Sequence, residues 1–166
     1  MPAKRIILAL SVLLANAVLA APAVFAQQVS FGGIRADTAA PVEISADSLT
    51  IDQADGSAVF AGNVVVSQGD MRLSAALVRV EYGAGGQREI TRLLASGGVI
   101  LATGADAAQA EAAEYTIASG SVLLTGNVLL TQGGNVLSGQ RLTVNLTTGN
   151  ATVEGRVQTT LQPGGN

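Results

Sequence analysis

From Pro41 to Leu161 apolar and polar residues alternate with a period of two, the mark of strands with one buried face. Val42 and Ile44, Leu49 and Ile51, Ala58 and Phe60, and Val64 and Val66 trace successive faces. Tyr115 and Ile117, Val122 and Leu124, Val128 and Leu130, and Leu142, Val144 and Leu146 continue them. Asp55-Gly56 and Gly69-Asp70 are turn signals, and Gly83 to Gly86 is the longest loop signal. Met71, Leu73 and Ala75 share one parity, whereas Val78, Val80 and Tyr82 share the other. A one-residue slip turns a strand over, so the slip predicts a bulge or corner near Ala75-Ala76. Leu137 is out of phase with Leu142, Val144 and Leu146 in the same way.

The pattern repeats. Gly62-Asn63-Val64-Val65-Val66-Ser67-Gln68-Gly69 returns as Gly126-Asn127-Val128-Leu129-Leu130-Thr131-Gln132-Gly133. Residues 46–80 align without gaps on 110–144, and turn positions are among the identities. Gly and Asn tolerate positive φ, so each Gly-Asn predicts a sharp bend leading into a strand. Gly97-Gly98-Val99 reads as a degenerate middle copy. The Ala-rich stretch Gly104 to Ala113 suits a turn of helix, but Ala110-Glu111 falls on Ala46-Asp47, which favours strand. Strands of about five to six residues give roughly a dozen to sixteen of them. Short alternating strands predict an all-β sandwich or jelly roll of two facing antiparallel sheets.

The start of the chain departs from this pattern. Lys4 and Arg5 precede an apolar run, Ile6 to Ala20, and Val24-Phe25-Ala26 is a small-residue cleavage pattern. Residues 1–26 read as a cleaved secretory signal peptide. The run falls short of the roughly 20 residues that a spanning helix needs. Residues 27–40 read as a flexible leader, 41–161 as one domain and 162–166 as a disordered tail.

Composition narrows the chemistry. After residue 26 there are seven Arg and no Lys against twelve acidic residues, a net charge near −5. Nucleic acid, which wants a basic footprint, is not an expected partner. The chain has no Cys and no His, so it holds no Ser-His-Asp set, no thiol nucleophile and no imidazole for zinc. Asp47, Asp52, Asp55, Glu111 and Glu114 are the carboxylates from which a glycosidase pair would be drawn, and they equally suit solvated turns and outer faces. Asp52-x-x-Asp55-Gly56 lacks the further oxygen ligands of a calcium loop. The reading is therefore a non-enzyme with no catalytic residue, metal or cofactor.

What remains is faces and edges. Beyond residue 26 the aromatics are Phe31, Phe60, Tyr82 and Tyr115, few to fill the space between two sheets. The inner faces therefore suit either a closed core or an apolar groove. Val42-Glu43-Ile44 at one end and Val157, Thr159 and Leu161 at the other carry few blocking charges, so both edges invite strand addition.

Three stretches carry a resemblance: Pro41-Val-Glu-Ile-Ser-Ala-Asp47, Val59-Phe-Ala-Gly-Asn-Val-Val-Val-Ser-Gln-Gly69 and Val122-Leu-Leu-Thr-Gly-Asn-Val128. Through them the chain, from about Pro41 to Thr160, resembles the OstA-like family of periplasmic lipopolysaccharide-transport proteins. The resemblance implies an open, V-shaped β-jelly roll whose groove holds lipid acyl chains. It implies head-to-tail joining of protomers into a bridge from inner to outer membrane. An inner-membrane-anchored relative would meet the N-terminal edge, and the periplasmic domain of an outer-membrane barrel the C-terminal edge. By position, Val42, Ile44, Leu101 and Ile117 fall where the family contacts lipid. With the face pattern, the expected groove is Val42, Ile44, Phe60, Val64, Val66, Leu101, Ile117, Leu124, Val128 and Val144. The alternative is a structural secreted β-repeat module, such as an adhesin or filament segment, with a packed core.

Overall fold

The computed structural model describes residues 34–85 and 89–162. The signal peptide expected at 1–26, the first part of the leader, part of the Gly83 to Gly86 loop and most of the tail lie outside the described residues.

The described chain is all β. Four strands are short: β1 (Glu43–Ser45), β2 (Ser48–Ile51), β9 (Ala151–Glu154) and β10 (Gln158–Thr160). Six are long: β3 (Ala58–Gln68), β4 (Met71–Tyr82), β5 (Ile90–Thr103), β6 (Asp106–Thr116), β7 (Ser121–Gln132) and β8 (Asn135–Asn145). They form one antiparallel sheet of ten strands, with β1 and β2 both on β3 and β9 and β10 both on β8.

The expected short strands are halves of longer ones. Every long strand carries a register shift near its middle, such as Ala61/Val64 in β3 and Ser74/Leu77 in β4. The sheet folds along this row of bulges into two facing layers. One layer holds β2, residues 58–61, 77–82, 90–96, 112–116, 121–125 and 141–145, and β9. The other holds β1, residues 64–68, 71–74, 99–103, 106–109, 128–132 and 135–139, and β10. Counted as segments, six bent strands and four short ones make sixteen. This is an open antiparallel jelly roll, since the β1/β2 edge and the β9/β10 edge do not pair with each other among the described residues.

Gly62-Asn63 does not end one strand and begin another, as its bend signal suggested. It is a bulge inside β3, with φ of 81° and 47°. Gly97-Gly98, Gly126-Asn127 and Gly155-Arg156 repeat the geometry, with φ of 83° and 84°, 83° and 45°, and 80° and 48°. The glycines of these four corners stand 35, 29 and 29 residues apart, so the 64-residue offset spans two rungs of a four-rung stack. Each corner glycine abuts the preceding strand where a Cβ would collide: Asp47 at Gly62, Ala76 at Gly97, Glu111 at Gly126 and Gln140 at Gly155. Two corners are clamped. Asn63 Nδ2 donates to Asp47 Oδ2 at 2.8 Å, and Asn127 Nδ2 to Glu111 Oε1 at 2.5 Å. The second corner, with Ala76 and Gly98, has no such side-chain clamp, and an open hollow of about 550 Å³ lies between it and the first corner.

The bulges explain the parity slips. β3, β5 and β7 take the extra residue in the corner and keep their parity, so Ala58, Val64 and Val66 all point inward. β4, β6 and β8 turn over, as expected at Ala75-Ala76: Leu73 and Ala75 are buried on one side of the slip and Val78 and Val80 on the other.

The leader expected to be flexible is bound over residues 34–40. Ile34 is 1% exposed and belongs to the core. Gln68 Nε2 donates to the carbonyls of Thr38 at 3.0 Å and Ala40 at 2.9 Å. A backbone that finds hydrogen-bond partners and an apolar anchor is held, however polar its composition.

Candidate functional site

All ten expected groove residues lie on the inner surface. Val64, Val66, Leu101, Leu124, Val128 and Val144 are at most 2% exposed within one core cluster. Val42, Ile44, Phe60 and Ile117 pack against it half-buried. Val42, Ile44, Val64, Val66, Leu101 and Val128 come from the layer that holds β1, and Phe60, Ile117, Leu124 and Val144 from the facing layer or its loops. The inner surface is lined mainly by Val, Leu and Ala, and Tyr115 is its one fully buried aromatic side chain among the described residues. Such short side chains leave thin walls.

The apolar inner face does not stop at the edges. Leu49 and Ile51 pair across β2 with Phe60 and Ala58, which puts them on the inner face. There they are 53% and 48% exposed, because β2 has a neighbour on one side only. At the far edge Thr159 pairs with the buried Leu137, and Val157 and Leu161 share its parity while 48% and 65% exposed. The expected interface residues thus fall into two groups. Val42, Glu43 and Ile44 lie on or beside edge strand β1, and Val157, Thr159 and Leu161 on or beside edge strand β10. Both edges belong to the same layer.

Polar contacts of the interior gather where the layer ends approach. Tyr115 Oη donates to Gln68 Oε1 at 2.6 Å, joining the two layers through a buried hydrogen bond. Burial pushes the Tyr115 phenol above its ordinary pKa, and the bond to Gln68 opposes this more weakly. One rung pair later Gln132 Nε2 donates to the buried Asp106 Oδ2 at 3.0 Å. Sequence reasoning missed this role of Gln68 and Gln132, although their recurrence in the repeat was the available signal.

The carboxylates considered for catalysis are held in structural pairs away from the interior. Asp47 and Glu111 clamp corners. Asp55 pairs with Arg79 and accepts from the Ser57 backbone N–H at 2.9 Å, and the latter bond leads in holding its carboxyl below the usual range. Arg92 bridges Glu81 and Glu114 at 2.7 and 3.0 Å on the outer face. Asp52 caps its own turn through the Ala54 N–H at 2.9 Å. No group of three or more metal-binding side chains occurs among the described residues.

A bent antiparallel sheet with an apolar interior and two unpaired edges places the chain among open β-jelly-roll domains. Residues 43–150 match the family model described as LptA/(LptD N-terminal domain) LPS transport protein. The chain belongs to this family of lipopolysaccharide transport proteins. It is 36% identical over 171 residues to uncharacterized protein R00383 of Rhizobium meliloti strain 1021, covering 96% of this chain and 92% of that one. Its fold is similar to the crystal structure of LptH from Pseudomonas aeruginosa, described as the LptA-homologous periplasmic component of the lipopolysaccharide transport device. That match has a TM-score of 0.68 at 20% identity, covering 77% of this chain and 99% of that chain.

Proposed function

We propose that the protein is a non-enzymatic periplasmic bridge that carries lipopolysaccharide from the inner to the outer membrane, with the acyl chains held between its two layers. The observation that carries the reading is the apolar inner face running out into exposed Leu49 and Ile51 at one edge and Val157 and Leu161 at the other. Strand addition at β10 would cover Val157 and Leu161, addition at β1 would bring the next protomer's facing layer against Leu49 and Ile51 of β2, and together they would join the interiors into one conduit. The same edges would receive an inner-membrane-anchored partner at β1 and the periplasmic domain of an outer-membrane barrel at β10.

The physical chemistry suits transfer. Each acyl CH₂ removed from water is worth about 0.8 kcal/mol, so a chain of a dozen carbons gains about 10 kcal/mol over water. Relative to a membrane the gain is near zero, because the starting point is also apolar. Lipid can then pass between equal sites without a deep trap. An acidic protein can do this, since its hold is on the chains and not on the phosphates.

A photo-crosslinking residue at Val42 or Ile117 should capture lipopolysaccharide in cells. Absence of any lipid adduct at both positions would remove the groove assignment. The competing reading, a structural module with a packed core, draws on the near-complete burial of Val66, Leu101 and Leu124. Mass spectrometry of lipid carried by the purified protein separates the two readings.

A further inference from the structure

We infer that residues 34–40 form a strap across the mouth of the interior, that Ile34 sits in it as an internal stand-in for an acyl chain, and that the strap must swing aside before lipid enters. The inference rests on the acyl-groove reading above. The two layers meet along the corners, so their free ends face each other on the opposite side. The strap joins those free ends. Arg35 Nε and Nη2 donate to the Thr148 carbonyl at 3.0 and 2.8 Å, and the Ala36 N–H to the Leu146 carbonyl at 3.1 Å, all at the end of one layer. Thr38 lies against Gly120 at another loop of that layer. Gln68 Nε2 then holds the carbonyls of Thr38 and Ala40 from the end of the other layer, and Asp37 lies against Gly69. The strap therefore runs from the last rung to the first along the opening.

Its fastenings suit release. Residues 34–40 form no strand, so lifting them breaks no ladder of the sheet. When Gln68 lets go, its Oε1 keeps the bond from Tyr115, and water can take the vacated amide protons. Ile34 is the one large apolar side chain in the strap, and it is buried where the other strap residues are half-buried or exposed. An apolar plug on a detachable strap competes directly with an apolar ligand, because the two would fill the same dry volume.

A reversible staple tests this. A Cβ at Gly69 would lie 3.3 Å from the Asp37 Cβ, close to disulfide range, and the chain has no cysteine of its own. In the double variant Asp37→Cys/Gly69→Cys, oxidation should weaken binding of a dansyl-labelled dodecanoic acid at least about tenfold, and reductant should restore it. Equal affinity in the oxidised and reduced forms overturns the strap and leaves the groove intact. No binding by the wild-type protein and the reduced variant overturns the groove reading and the strap with it. Ile34→Ser, which leaves the staple positions untouched, should bind the same probe several-fold more tightly than wild type; unchanged or weaker binding counts against the plug.

Discussion

Arg156 occupies the corner position that Asn fills at 63 and 127, with the same left-handed backbone at φ 48°. Arg lacks the short side chain that lets Asn tolerate this region. Arg156→Asn should therefore raise stability by about 1 kcal/mol, read as a higher urea midpoint with an unchanged slope. Tyr115→Phe should act in the opposite direction. It leaves Gln68 Oε1 buried without its donor, which costs about 1–3 kcal/mol. The phenol also adds a pH dependence of definite sign. Its folded pKa lies above the ordinary 10.0, so its contribution is complete below pH 10 and is lost as pH rises through the folded value. The wild-type denaturation midpoint should fall in that alkaline range, and the fall should be shallower in Tyr115→Phe. At this scale the sequence was readable only where residues recur. Gln68 was visible as a repeated letter, but its partners, two backbone carbonyls and a tyrosine 47 residues away, leave no local pattern.

Among the elements, the corners carry the architecture. Gly126 has φ 83°, and a Cβ there would come within 2.5 Å of Glu111 Oε2. Gly133 also has positive φ, at 55°, but nothing lies within 4 Å of its Cβ position. Gly126→Ala should thus cost about 2–3 kcal/mol, through strain and loss of the Asn127 clamp, against about 1 kcal/mol for Gly133→Ala. Equal losses in thermal or urea unfolding would show that the corner contact is of no consequence. The edges make a separate prediction. Pro at Glu43 or at Val157 should abolish a concentration-dependent oligomer ladder, and a ladder unaffected by either change would refute pairing through β1 and β10. Alternation made the inner faces legible, and the parity slip located the bulge in β4 correctly. Periodicity could not say that the two segments flanking each bulge are one strand, because a bulge and a turn use the same Gly and Asn. The second rung showed only as the degenerate copy at Gly97-Gly98, and the fourth was hidden, for a related reason: Gly98 and Arg156 keep the backbone geometry of Asn63 and Asn127 without their side chain.

For the whole molecule, binding through acyl chains predicts indifference to ionic strength. A tenfold rise in salt should change the amount of lipid carried by less than about twofold, whereas a hold on phosphates would be screened strongly. The family and the jelly roll were legible because the repeated stretches contain both the turn residues and the inner-facing ones. The strap was not. Its burial depends on two distant loop carbonyls, of Leu146 and Thr148, and on where Ile34 falls relative to a completed interior, and a seven-residue stretch of mostly small residues carries no periodicity that would report this. The four-corner stack has a consequence for how such a chain can change length. Each rung meets only its neighbours, and the corners stay in phase only if whole hairpins are gained or lost. A duplicated unit of 29 or 35 residues, the spacings present here, would lengthen the sheet by two strand widths, about 10 Å, while leaving both end surfaces as they are. An insertion of any other size inside a long strand would displace a corner glycine from its neighbour. Evolution of reach in this architecture is therefore quantised in hairpins.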